Sequence, residues 1–86
     1  MTIPVEVKTV WQGQVGIRDK YVDEARQLKE SLLIGVGNER MLIRFDELED
    51  KIASVSDFPF IDKFSNKKHY LYYFEWKPIA KQGCLL

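Results

Sequence analysis

Residues 32–45, LLIGVGNERMLIRF, constrain the fold more than any other stretch, because they read as one β-hairpin with a single apolar face. Leu32, Ile34 and Val36 alternate with Leu33, Gly35 and Gly37. Met41, Ile43 and Phe45 alternate with Leu42 and Arg44. A period of two on both arms is the mark of half-buried strands. Gly37-Asn38 supplies the turn, since a type II′ loop needs φ > 0 at its first residue. A two-residue loop pairs Ile34 with Met41 and Leu32 with Ile43. A four-residue loop, 37–40, pairs Val36 with Met41 and Ile34 with Ile43. Both keep Leu32, Ile34, Val36, Met41, Ile43 and Phe45 on one face. A three-residue loop sets the aliphatics of the first arm against Arg40, Leu42 and Arg44, which forfeits apolar burial. The other face, with Leu33, Gly35, Leu42 and the two arginines, is mixed and partly solvated. Gly35 itself marks a bulge or a place where something packs close. A lone hairpin is marginal in water, so other elements must cover its apolar face.

The cover is read at residues 16–30, where the period changes. Ile17, Tyr21, Val22, Ala25 and Leu28 fall on one helical stripe with charged residues between them. Asp19 in the first turn and Lys29 in the last suit the helix dipole. Lys20–Glu24 and Arg26–Glu30 are favourable i,i+4 pairs. Burying Tyr21, Ala25 and Leu28 on the hairpin supplies several kcal/mol at ~25 cal/mol per Å².

Residues 3–11 read as a first strand: Ile3, Val5, Val7 and Trp11 share a parity, Pro4 fits an edge, and Gln12-Gly13-Gln14 is a break. Residues 46–54 read as a short second helix capped by Asp46, with Glu49 three residues on, burying Leu48 and Ile52. A loop follows at 54–59. Phe58, Phe60, Ile61 and Phe64 anchor an irregular connection, with Ser65-Asn66 as a turn. Residues 69–77, HYLYYFEWK, are the last strand, since aromatic residues favour strands. Tyr70, Tyr72, Phe74 and Trp76 share one face; Leu71 and Tyr73 share the other with His69 and Glu75. Pro78 ends it.

The expected class is α+β: a small mixed or antiparallel sheet with one main helix packed on one face and a short second helix. The order β-α-β-β-α-β is that of the ferredoxin-like split βαβ fold. A less regular α+β sheet is the alternative. Residues 1–78 form one domain, and 79–86 a flexible C-terminal tail.

With 86 residues, the chain buries only ~60–65% of its unfolded surface, so its core is thin. Thirteen basic residues balance thirteen acidic ones, which gives no global pull toward nucleic acid or anionic membrane. Cys84 is the one cysteine, so no internal disulfide forms. One cysteine and one histidine do not make a structural zinc site. The start, MTIPVEVKTV, lacks the apolar core of a signal peptide, and no apolar run reaches the ~20 residues that span a bilayer. GCLL is not a prenylation box, because Cys84 stands third from the end. A soluble cytoplasmic protein without cofactor or membrane partner is expected.

Three groups could carry chemistry. Lys63, Lys67, Lys68, His69 and Lys77 surround Tyr70, Tyr72, Tyr73, Phe74 and Trp76. Cations among aromatics on a strand can form a stacking platform for single-stranded nucleic acid, with rings taking bases and cations meeting phosphates. The plainer reading is that a chain of this size needs its large rings for the core. Asp46, Glu47, Glu49 and Asp50 could bind Mg²⁺, but carboxylates at a helix start are what capping and the dipole already favour. His69 lacks a local nucleophile to serve. Neither GxGxxG nor GxxxxGK[ST] occurs. No enzyme signature emerges. The expectation is a non-enzymatic interaction module that binds a protein partner or itself through an aromatic sheet face or an edge strand. The alternative is a single-stranded nucleic-acid-binding module using residues 63–77. The binding residues expected are Lys63, Lys67, Lys68, His69, Tyr70, Tyr72, Tyr73, Trp76 and Lys77.

Overall fold

The computed structural model describes residues 1–57, 64 and 67–79. The class is α+β, with strands β1 (Thr2–Glu6), β2 (Gln14–Arg18), β3 (Ser31–Val36), β4 (Glu39–Ile43), β5 (Ile52–Asp57) and β6 (Tyr70–Glu75). Helix α1 is Asp19–Leu28 and the short α2 is Leu48–Lys51, entered through a 3-10 turn at Phe45–Glu47. The strands form two three-stranded sheets, β1-β3-β4 and β2-β6-β5. β1 runs parallel to β3; every other pairing is antiparallel. The described residues thus form an irregular α+β arrangement with six strands, where the sequence reading counted four.

The hairpin lies where its alternation put it. Ile34 pairs with Met41 and Leu32 with Ile43, the register of the two-residue loop. Gly37 has φ +60° and Asn38 does not turn positive, which is the type II′ pattern. Leu32, Ile34, Met41 and Ile43 are buried, and Val36 packs beside them. Phe45 is the exception: it is 49% exposed, because the chain leaves the strand at Ile43 and turns into the 3-10 turn. Gly35 lies in unbroken ladder and not in a bulge. Its neighbours across the sheet are Glu6 and Arg40, whose side chains meet over it at 3.6 Å.

Two expectations about the first half need correction. The strand expected at 3–11 stops at Glu6, and residues 16–18 are not helical. Gln12 and Gly13 both have positive φ, +51° and +74°, and Trp11 and Gln14 exchange both backbone bonds across them. That is a type I′ reversal, which matches strand twist. It launches β2, where Val15 and Ile17 are fully buried with a period of two. Ile17 sits four residues before Tyr21 and so imitated a helical stripe. The true helix begins at Asp19 and buries Val22 and Ala25, while Leu28 is 55% exposed. Its last turn closes through Lys29 in the left-handed region at φ +55°.

Asp46 caps no helix. It lies inside the 3-10 turn and pairs with Arg44 at 3.2 Å. Leu48 is buried, as expected of α2. Residues 52–54, expected to end that helix with Ile52 buried, and 55–57, expected as loop, form strand β5, where Ile52 is only partly buried. Phe64, expected as an anchor of the connection, is instead exposed, and Phe58, Phe60, Ile61, the turn at 65–66 and residues 80–86 lie outside the described residues. Val15, Ile17 and Phe74 from one sheet, Ile3, Val5, Leu32, Ile34, Met41 and Ile43 from the other, and Val22 and Ala25 from α1 make one core. α1 packs on both sheets.

The backbone past β6 joins the two sheets. Ile79 N–H donates to the Arg40 carbonyl at 2.7 Å, on the free side of β4. The same ladder would next bring Lys77 N–H to Leu42, but that N–H donates to Met41 Sδ at 3.1 Å. Below it a cleft of about 320 Å³ opens between β4, the start of β5 and the end of β6.

Candidate interaction surface

The register of β6 determines which backbone groups of its neighbours stay free. Trp76 N–H donates to the Gly13 carbonyl at 2.8 Å, and Tyr70 N–H to Asp19 Oδ2 at 3.2 Å. Residues 70, 72, 74 and 76 therefore turn their backbone groups toward β2, and residues 71, 73 and 75 toward β5. The bonded pairs of the β5–β6 ladder are then Ser54 with Tyr73 and Ser56 with Leu71. Val55 and Asp57 aim their N–H and C=O groups away from the sheet. Among the described residues no strand pairs with that outer side.

Unpaired strand edges attract other chains, and natural proteins blunt them with proline, charge, bulges or a covering segment. The four outer edges here differ in this respect. Val7 N–H donates to the Gly35 carbonyl, so the odd residues of β1 bond β3 and the missing N–H of Pro4 falls on the free side. The outward groups of Gln14 on β2 are taken by Trp11, and the strand ends in Arg18. The edge of β4 carries Arg40 and is bonded there by Ile79. β5 has a bulge at its start, between Ile52 and Ser54, but Ser54-Val55-Ser56 carries neither proline nor charge. Residues 53–57 are exposed on both faces, and Val55 is 50% exposed. Tyr72, opposite Val55, is covered by the Arg26 guanidinium 5.1 Å above its ring.

The residues expected to form a basic-aromatic platform are spread over several environments. Lys63 lies outside the described residues. Lys67 is exposed. Lys68 donates to Asp57 at 2.9 Å, and this exposed pairing raises its pKa above the usual lysine range. Lys77 lies 3.7 Å from Glu75. His69 Nδ1 stands 3.4 Å from Asp19 Oδ1 in a half-buried site at the start of α1. Tyr70 is 40% exposed beside Asp57. Tyr72 and Trp76 pack against the core, and Tyr73 lies over Gly16 on the opposite face. Two of the four described lysine and histidine groups are thus matched to Asp57 or Glu75, and the rings do not share one open face.

The acidic run divides in the same way. Glu49 accepts two bonds from Arg26, at 2.6 and 2.9 Å, which hold its carboxyl below the usual range. Asp46 accepts from Arg44. Among the described residues no three His, Cys, Asp or Glu side chains are grouped to hold a metal ion. No described helix is long and apolar enough to cross a membrane. The β5 edge had no sequence signal: with both faces in solvent, residues 52–57 show no hydrophobic period. The chain matches no family model, no curated protein and no solved structure.

Proposed function

We propose that this chain is a small non-enzymatic interaction module that binds an extended protein segment along the outer edge of β5. The observation that carries this reading is the edge at Val55 and Asp57, which no described strand pairs, uncharged from Ser54 to Ser56 and exposed on both faces. An added strand gains main-chain hydrogen bonds there and places alternate side chains beside Val55 on one face and beside Ser54 and Ser56 on the other.

The test is a titration of isotope-labelled protein with peptides selected for binding from a random library. Edge addition shifts the Val55 and Asp57 amide signals, and Val55→Pro abolishes it. Proline at 55 removes an outward N–H and leaves the bonds of Ser54 and Ser56 to β6 in place. Selected peptides that bind and leave both amides unmoved refute the reading.

A further inference from the structure

We infer that the segment added to β5 is β5 of a second copy, joining two β2-β6-β5 sheets into one six-stranded antiparallel sheet about a twofold axis at Val55. This rests on the edge-pairing reading above and names its partner. A strand that pairs with itself must be self-complementary in charge and geometry, and a twofold axis requires it to run antiparallel. Between Ile52 and Asp57 only Asp57 is ionisable. The outward groups belong to Val55 and Asp57, so the axis passes through a register that brings outward groups together.

Apart from an axis at Asp57, which sets the two carboxylates face to face, two registers do so. An axis at Ser56 sets Asp57 opposite Val55 of the second copy and brings the two Asp57 carboxylates to diagonal positions, where like charges repel. An axis at Val55 sets Val55 opposite Val55 and moves the carboxylates to opposite ends of the ladder, each across from Ala53 of the second copy. The second arrangement is the one charge allows. It covers the half-exposed Val55 with its own copy on the Tyr72 side, and sets Ser54 opposite Ser56 on the other. One strand pair lies at the small end of interface sizes, so the dimer is weak and concentration-dependent.

The test measures the mass of the full chain by light scattering from about 1 mM to about 1 µM, a range that brackets a weak contact. Amide exchange at Val55 and Asp57 is followed over the same range. The mass should rise toward twice the monomer value, with both amides slowing in step. Val55→Lys, which sets two like charges face to face at the axis, should stay monomeric. Val55→Thr, which keeps a β-branched side chain, should still dimerise. A monomer with fast amides at every concentration removes the second copy as partner and leaves the open edge standing. A monomer in which both amides are slow removes the open edge as well. A dimer that survives Val55→Lys with fast amides lies elsewhere on the molecule and overturns the inference.

Discussion

Replacing Arg26 with alanine breaks contacts to two other elements and one within its own helix. From α1, its Nε and Nη2 donate to the two oxygens of Glu49 at 2.6 and 2.9 Å, a forked pair that ties α1 to α2. Its plane lies 5.1 Å from the centre of the Tyr72 ring on β6. Nη1 also reaches Asp23 at 3.3 Å. The Arg26 and Glu49 side chains are 36% and 63% exposed, so solvent screens the pair, and about 1 kcal/mol is the upper end for such geometry. The stack on Tyr72 adds roughly 0.5–1 kcal/mol at an exposed site. Arg26→Ala should therefore destabilise by about 1.5–2 kcal/mol. Arg26→Lys keeps the charge but loses fork and plane, and should cost about 1 kcal/mol. Urea unfolding followed by the fluorescence of Trp11 and Trp76 measures both. A double-mutant cycle with Glu49→Gln should give a coupling of about 0.5–1 kcal/mol that shrinks in high salt. A coupling below about 0.3 kcal/mol, the additivity error, refutes the claim that this pair fastens the two helices.

Stability should also fall in acid through Glu49. Its carboxyl is held below the usual range, chiefly by the hydrogen bonds from Arg26. The stabilisation is complete above the ordinary glutamate pKa and is lost as pH falls through the lowered, folded value. Urea midpoints across that acid range should drop less in Glu49→Gln than in the native chain. At the end of α1, Lys29 holds a left-handed conformation that suits glycine. Lys29→Gly should stabilise by up to about 1 kcal/mol in thermal unfolding, and a loss of stability would contradict the cap.

The parts of the fold that could be read in advance are those whose side chains face two different solvents. Leu32, Ile34, Met41 and Ile43 face the core and their neighbours do not, so register, turn type and buried face followed from alternation and Gly37. β2 was hidden because its two core residues, Val15 and Ile17, run directly into α1, and one of them matched the helical spacing by coincidence. β5 was hidden for the opposite reason: exposed on both faces, it has no alternation to see. The aromatic strand was placed correctly, but its chemistry depended on partners remote in sequence. Asp57 for Lys68, Asp19 for His69 and Arg26 for Tyr72 belong to elements that local patterning does not bring together.

The antiparallel match of Val15 with Phe74 and Ile17 with Tyr72 has a consequence for synthesis. Helix α1, β3, β4, α2 and β5 all leave the ribosome between these partners, whereas β1, α1, β3 and β4 can assemble as soon as the hairpin emerges. Until then the nascent chain carries two bare aliphatic side chains ahead of a formed helix. Molecular chaperones that shield short apolar stretches would find Val15 and Ile17 without their strand partner for longer than Ile3 and Val5 of β1, which pair with β3.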